Sequence, residues 1–369
     1  MMKRLLAFSF WLLAMGICVA QAQSKDDQLK RIRAIYTQAK QQVVDNGKDG
    51  QPPLDMHIHV SNGSMVSEDF ALDDETDVHY YFTRSKKEPD TDFLEEFSCY
   101  FISEYWTSHG HDRSREFLLD PEDGHLLFAY MKGETDGGFI VETRYYYDDK
   151  GNLIDQIHKT GNEEFGLSEV EPGSHTWNNG ESEKDASEYF LDVFNGILFS
   201  SDDFSAASER DGKATPKAER MKFIRETYTQ AKQKIELDKQ AELPRNIQIT
   251  IHDQRFEVSP PVTREINYYF EDVKGQDTPE KHCYFISDHT SFMGFDRYCE
   301  YLFDTKSHDL IFSYDRGCEE GEEREWRYYF NENRKCIEAK SEAEEIGDGL
   351  SEKMAAKDYV DTFRKLIRE

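Results

Sequence analysis

Basic residues are scarce in this sequence. The 369 residues include 45 Lys and Arg against 74 Asp and Glu, which gives a formal net charge of -29 at pH 7. Nucleic acids and anionic membranes are bound by basic surfaces, so this balance argues against either as the main partner. Hydrophobic residues are also few, at 37%, but 13% of residues are aromatic, and disordered chains are poor in aromatic residues. The composition predicts a folded, acidic protein.

Motifs of several common enzymes are missing as well. The sequence has no Gly-x-Ser-x-Gly, no glycine-rich phosphate loop and no Cys-x-x-Cys. These absences argue against a serine hydrolase elbow, a nucleotide-binding loop and a structural zinc site. Cys99 and Cys283 lie in aromatic segments, which predicts buried, unreactive thiols.

Long apolar runs are absent after the N-terminus. The run from Leu5 to Ala20 follows the basic pair Lys3-Arg4 and ends at Ala20-Gln21-Ala22, where small residues suit a cleavage site. This pattern predicts a signal peptide over residues 1–22 and an exported protein, periplasmic or secreted, that is not inserted in a membrane after cleavage. An uncleaved anchor and lipidation at Cys18 are the alternatives.

The second part of the chain repeats the first. Tyr36–Gln41 recurs without change as Tyr228–Gln233, and Cys99–Ser103 recurs as Cys283–Ser287. The period is far longer than that of solenoid repeats, and each copy is long enough to bury its own core. The repeats predict a duplicated domain. The predicted boundaries are a signal peptide at 1–22, a first repeat at 23–200, a linker at 201–214 and a second repeat at 215–369.

The order of patterns within each copy predicts an α+β fold. An amphipathic helix comes first, then about six strands joined by tight turns, then a second helix. Ser24 followed by Asp27 predicts a cap for the first helix of copy one, and Thr215-Pro216 predicts the cap and first helical position of copy two. Consecutive hairpins favour an antiparallel meander with helices over one face of the sheet. The turns Asp120–Gly124 and Asp148–Asn152 each begin with Asp and carry Gly where a positive φ is needed.

Three of these patterns resemble a group of uncharacterised exported tandem-domain proteins of Bacteroidetes-type bacteria. They are the helix pattern Ile-Arg-x-x-Tyr-x-x-Ala-Lys at Ile32–Lys40 and Ile224–Lys232, the Tyr-Tyr-Phe strand, and the strand and turn over Tyr147–Ile154. The resemblance covers both copies and implies no activity. The second copy departs from it at the last turn, where Arg334 replaces Gly and a different turn is expected.

One set of polar residues is a candidate ligand site in both copies. Alternation along a strand places its members on one face of the sheet, with Arg as an anchor for an anion. The set is Glu142, Arg144 and Tyr146, matched by Glu325, Arg327 and Tyr329. The alternative is a cross-strand ion pair under aromatic side chains, with a structural role.

Histidines of the first copy form a candidate metal site. The two His-x-His pairs and a following carboxylate could hold a divalent ion. The set is His57, His59, His109, His111 and Asp112. The second copy has Gln248, Thr250, Met293 and Phe295 at the His positions, so a metal site could only be a later addition to one copy.

Apart from the polar set of Glu, Arg and Tyr, the features kept in both copies are aromatic, apolar or turn-forming, and none is an acid–base pair. We therefore expect a non-enzymatic binding or interaction protein without a cofactor. Its partner would be a protein or a small molecule, with a basic protein as one option, and the two repeats are expected to pack together. The alternative is a metal-dependent hydrolase that uses the histidines of the first copy. A third possibility, an inhibitor that masks a basic surface, has no separate support.

Overall fold

The structure, a computed structural model, describes most of the chain after the predicted signal peptide. The described ranges are 24–48, 53–67, 70–86, 94–108, 110–135, 137–162, 165–170, 180–198, 209–240, 245–253, 262–273, 280–292, 295–319, 322–341 and 348–367. The predicted signal peptide, Cys18 and His109 lie outside these ranges.

Four helices and fifteen strands lie within the described ranges. The first half of the chain contains α1 (Lys25–Asp45), β1 (Asp55–Ser67), β2 (Phe70–Lys86), β3 (Leu94–Ser108), β4 (His111–Leu119), β5 (Leu126–Glu134), β6 (Ile140–Tyr147), β7 (Leu153–Asn162), β8 (Gly166–Val170) and α2 (Glu181–Leu198). The second half contains α3 (Lys217–Lys239), β9 (Arg245–Asp253), β10 (Val262–Val273), β11 (Glu280–Phe292), β12 (Phe295–Phe303), β13 (Leu310–Glu319), β14 (Glu322–Phe330), β15 (Cys336–Ser341) and α4 (Leu350–Leu366).

All fifteen strands belong to one antiparallel sheet. Within each half every strand pairs with its neighbours in sequence, and β1 also pairs with β9, so the order runs from β8 through β1 and β9 to β15. At this central junction Ile58 lies opposite Ile249. The predicted fold class, two α+β copies with separate meanders of about six strands, is therefore wrong. Each first strand has a free edge, and the two edges satisfy each other's backbone hydrogen bonds.

Helices cover both faces of the sheet, not the one face predicted. On one face, α1 packs in a cluster with Phe101 and α3 in a cluster with Phe285. On the other face, α2 and α4 cover a core that runs through both halves and includes Tyr80 and Ile249. These two helices also touch, since the Tyr189 hydroxyl donates to the Lys365 carbonyl oxygen at 2.5 Å. Because both faces are covered, consecutive residues along a strand can all be buried aromatics.

The first helix of each half begins differently. Ser24 caps α1 as predicted, because its Oγ accepts a hydrogen bond from the Asp27 amide at 3.3 Å. The prediction that Thr215 caps α3 is wrong. Pro216 occupies the cap position without a side-chain bond, and the Thr215 hydroxyl donates to the Glu332 carboxylate instead. None of the described helices has the length and apolar character needed to cross a membrane.

The hairpin turns of the first half are confirmed. Gly124 and Gly151 have φ of +76° and +73°, in the left-handed region that favours glycine. The expectation of a different turn at Arg334 is wrong, because Arg334 itself has a φ of +63°. Its amide donates to the Asn331 carbonyl oxygen at 3.0 Å, as the Gly151 amide does to Asp148 at 2.9 Å. The backbone hydrogen bonds of the hairpin hold the arginine in a conformation that it would otherwise rarely adopt.

Candidate ligand-binding groove between helix and sheet

A groove lies between α3 and the strands β13 and β14. Its volume is about 460 Å³. The helix contributes Ile224, Arg225, Tyr228 and Thr229, and the strands contribute Phe312, Tyr314, Arg327 and Tyr329. The strand residues meet because Phe312 lies opposite Tyr329 and Tyr314 lies opposite Arg327 in the sheet register. One wall is thus helical and the other is a patch of cross-strand neighbours.

A buried carboxylate anchors the helix beside the groove. Glu300 on β12 has a side chain that is only 4% exposed. It accepts hydrogen bonds from the hydroxyls of Tyr228 and Tyr298 at 2.6 and 2.7 Å, and from Lys232 Nζ at 2.9 Å. Burial and the hydrogen bond to Glu300 raise the pKa of Tyr228. Glu300 is therefore fully engaged by its own chain and orients the Tyr228 ring.

The first half contains two of these three contacts. The Tyr36 hydroxyl donates to Glu116, and Lys40 Nζ donates to the same carboxylate at 2.8 Å. The positions that match the eight groove residues carry the same eight residue types. They are Ile32, Arg33, Tyr36, Thr37, Phe128, Tyr130, Arg144 and Tyr146.

The two halves differ in the position of one arginine. In the first half the guanidinium of Arg33 lies over the Tyr146 ring, 5.4 Å from its centre. The matching Arg225 has no such contact with Tyr329 and no side-chain hydrogen bond or ion pair to any residue that the structure describes. In the second half Lys340 Nζ lies 6.0 Å from the centre of the Tyr329 ring instead, so the Arg225 guanidinium is not used in a contact with that ring.

Part of the predicted ligand set lines this groove. Arg327 and Tyr329 line it directly, and Glu325 forms an ion pair with Arg327. In the first half Arg144 Nη2 lies 3.5 Å from Glu142 Oε2. These pairs join residues two apart on the same strand, whereas the structural alternative had expected a cross-strand pair. Tyr146 is buried in the cluster under α1.

The helical wall of the groove lies outside the predicted ligand set. Arg225, Tyr228 and Thr229 fall within the repeated helix pattern, which predicts packing and no ligand contact. The usable signal was that Arg225 and Thr229 are repeated exactly although they lie off the apolar stripe of the helix. An exposed helix position tolerates many residues, so its exact repetition indicates a role other than packing.

The predicted metal residues do not all come together. His57 Nε2 and His59 Nδ1 lie 2.7 and 3.0 Å from the same oxygen of Asp77. His111 and Asp112 are on β4, three strands from β1, which corresponds to roughly 14 Å at the usual spacing between strands.

A different group of side chains has donor atoms close enough together to hold a metal ion. Among the residues that the structure describes, Asp120, Asp123 and His125 bring their donor atoms within 4.8 Å of one another. Backbone amides already use two of these carboxylates, since Asp120 accepts from Glu122 at 2.9 Å and Asp123 from His125 at 3.2 Å. Hairpin geometry accounts for these residues without an ion.

The environment of the cysteines agrees with the prediction that their thiols are buried and unreactive. Cys99 and Cys283 are buried and free, and burial raises the pKa of both. A thiol with a raised pKa is a poor nucleophile at neutral pH. The chain matches no known protein family, no characterised protein and no solved structure.

Proposed function

We propose that this protein is an exported, non-enzymatic binding protein and that the groove between α3 and the sheet is its ligand site. The observation that carries the proposal is the repetition of all eight groove residues in both halves. Packing explains the buried members of the set, such as Ile224 and Phe312. It does not explain Arg225 and Thr229, whose side chains are exposed. A shared ligand chemistry explains both groups.

Binding accounts for the groove better than catalysis. General acid–base catalysis needs a group that can gain or lose a proton near neutral pH. Glu300 is held by three donors of its own chain, and arginine does not release its proton. Burial, and then the nearby charge of Glu325, raises the pKa of Tyr314. The described side chains of the groove are therefore suited to hold a ligand and poorly suited to transfer protons.

Export rests on the N-terminal sequence. The basic pair Lys3-Arg4, the apolar run and the small residues at Ala20 and Ala22 form the order of a cleaved signal. A binding protein in the periplasm or outside the cell would meet its ligand there. Mass spectrometry of the exported protein should find a mature N-terminus at Gln23, and an intact Met1 would contradict this part of the proposal.

Filling the groove tests the proposed site. Thr229→Trp places a large ring in the groove, whereas Leu237→Trp places it on a position of α3 that is 67% exposed, is not repeated in the first half and does not line the groove. A thermal-shift screen of small molecules should find ligands that stabilise the wild type and Leu237→Trp but not Thr229→Trp. At a ligand concentration 100 times Kd the stabilisation is about 2.7 kcal/mol. Ligands that stabilise Thr229→Trp equally, or a screen without any ligand, would contradict the proposal.

A further inference from the structure

We propose that the groove recognises a small organic carboxylate that carries an aromatic or other apolar body. The inference rests on the proposed function and specifies its ligand class. The groove brings together two arginines from distant parts of the chain, Arg225 on α3 and Arg327 on β14. Side-chain hydroxyls and apolar surface complete its lining.

The first argument is charge. The protein as a whole is strongly acidic, with a formal net charge of -29, yet the groove has an excess positive charge. Lys232 and Glu300 neutralise each other at 2.9 Å, and Arg327 and Glu325 form an ion pair. Arg225 has no side-chain partner among the residues that the structure describes. A ligand that neutralises Arg225 must carry a negative charge.

The second argument is the shape of the donors. The planar fork of a guanidinium matches a carboxylate with two parallel hydrogen bonds. Tyr329 adds a hydroxyl to the same groove, whereas the Thr229 hydroxyl already donates to the Arg225 carbonyl oxygen at 2.9 Å. Several donors around one cationic fork suit an oxyanion, whereas a cationic ligand would meet two arginines of its own sign.

The third argument is the apolar part of the lining. Ile224, Phe312 and the ring of Tyr228 line the groove beside the polar groups. A bare inorganic anion would leave this surface exposed to water. The volume of about 460 Å³ lies in the range of small-molecule sites. The ligand is therefore expected to combine one carboxylate with an apolar body, which the groove would remove from water.

The first half provides a second, weaker site for the same class. Its residues are the same, but Arg33 lies over the Tyr146 ring at 5.4 Å. A ligand must displace this contact before it can bind. An exposed cation–π contact corresponds to about a two- to fivefold loss of affinity. We therefore expect two sites with unequal Kd, the tighter one in the second half.

Matched acids and amides test the ligand class by titration calorimetry on the purified protein. The probes are benzoate and hexanoate, their neutral amides benzamide and hexanamide, and inorganic phosphate. At least one acid should bind about tenfold or more tightly than its amide, because the amide lacks the charge-assisted hydrogen bonds. Arg225→Gln should remove this preference, and its melting temperature should stay unchanged because Arg225 is exposed and has no described side-chain partner. Arg33→Gln is the matched variant, and it should leave the tighter site intact.

Each outcome decides between the two proposals. Equal binding of acid and amide, lost in Thr229→Trp, would overturn the carboxylate and leave the binding groove standing. If phosphate bound as tightly as the acids, the inference that the ligand carries an apolar body would be wrong. An acid preference that survives in Arg225→Gln would overturn the role of this arginine. If no acid binds, the carboxylate class is wrong, and the wider screen with Thr229→Trp then decides whether the groove binds anything.

Discussion

The junction between the two halves includes a buried ion pair whose removal should be costly. Arg84 on β2 and Asp253 on β9 form an ion pair, with side chains that are 7% and 12% exposed. Strand β1 lies between β2 and β9 and begins at Asp55. The Arg84–Asp253 pair therefore joins β2 to β9 just beyond the N-terminal end of β1. The Arg84 guanidinium also lies over the Phe97 ring, 4.0 Å from its centre.

Asp253→Asn keeps the shape of the side chain but removes the negative charge that Asp253 places against the buried Arg84 guanidinium. Breaking a buried pair in this way costs about 3–5 kcal/mol, a large part of a total stability of about 5–15 kcal/mol. The double variant Arg84→Met/Asp253→Leu replaces both charges with apolar groups and should be less destabilised than Asp253→Asn alone.

Urea denaturation followed by circular dichroism measures these differences in the free energy of unfolding. The exposed pair Lys239 and Glu236, 3.1 Å apart, is the control, and Glu236→Gln should change stability by less than about 1 kcal/mol. The reasoning is refuted if Asp253→Asn lies within about 1 kcal/mol of the wild type. It is also refuted if the double-mutant cycle gives a coupling below about 0.5 kcal/mol.

Two further predictions concern pH dependence and turn geometry. Burial, and then repulsion from His57, lowers the pKa of His79, so its contribution to stability is lost as pH falls below the unfolded value of about 6.5. The hydrogen bond to Asp55 raises the pKa of His252, so its contribution is present below about 6.5 and is lost as pH rises through the folded pKa. In urea titrations from pH 5 to 8, His79→Gln should therefore lower the free energy of unfolding more at high pH, and His252→Gln should lower it more at low pH. If the two losses changed with pH in the same direction, this reasoning would be contradicted. Gly124→Ala should lower the free energy of unfolding by about 1 kcal/mol, because alanine is disfavoured at a φ of +76°, and a neutral result in thermal denaturation would show that the turn relaxes.

Local features of the fold were predictable from the sequence. The Ser24 cap and the glycine turns depend on a few neighbouring residues, and the structure confirms them. The exceptions are also instructive. Thr215 does not cap α3, because its hydroxyl donates a hydrogen bond to Glu332, which is far along the chain. Arg334 adopts a glycine-like φ because the hairpin hydrogen bonds hold it there.

The candidate groove was predictable only in part. The strand residues Arg327 and Tyr329 were found because alternation places them on one face. The helical residue Arg225 was not found, because no sequence pattern states which face of α3 meets which strands. Helix and strand are joined through the buried Glu300, which binds Tyr228 and Lys232 across a long separation in sequence.

The sequence by itself determined what depends on neighbouring residues: the acidic and aromatic composition, the exactly repeated segments, the helix stripes and the tight turns. The tertiary structure alone decided how the pieces meet. It joined β1 to β9 in one sheet, placed helices on both faces and set Arg225 beside Arg327. The physical reason is that strand edges and apolar faces specify only that they need a partner. Which partner satisfies them depends on the free energy of the whole fold.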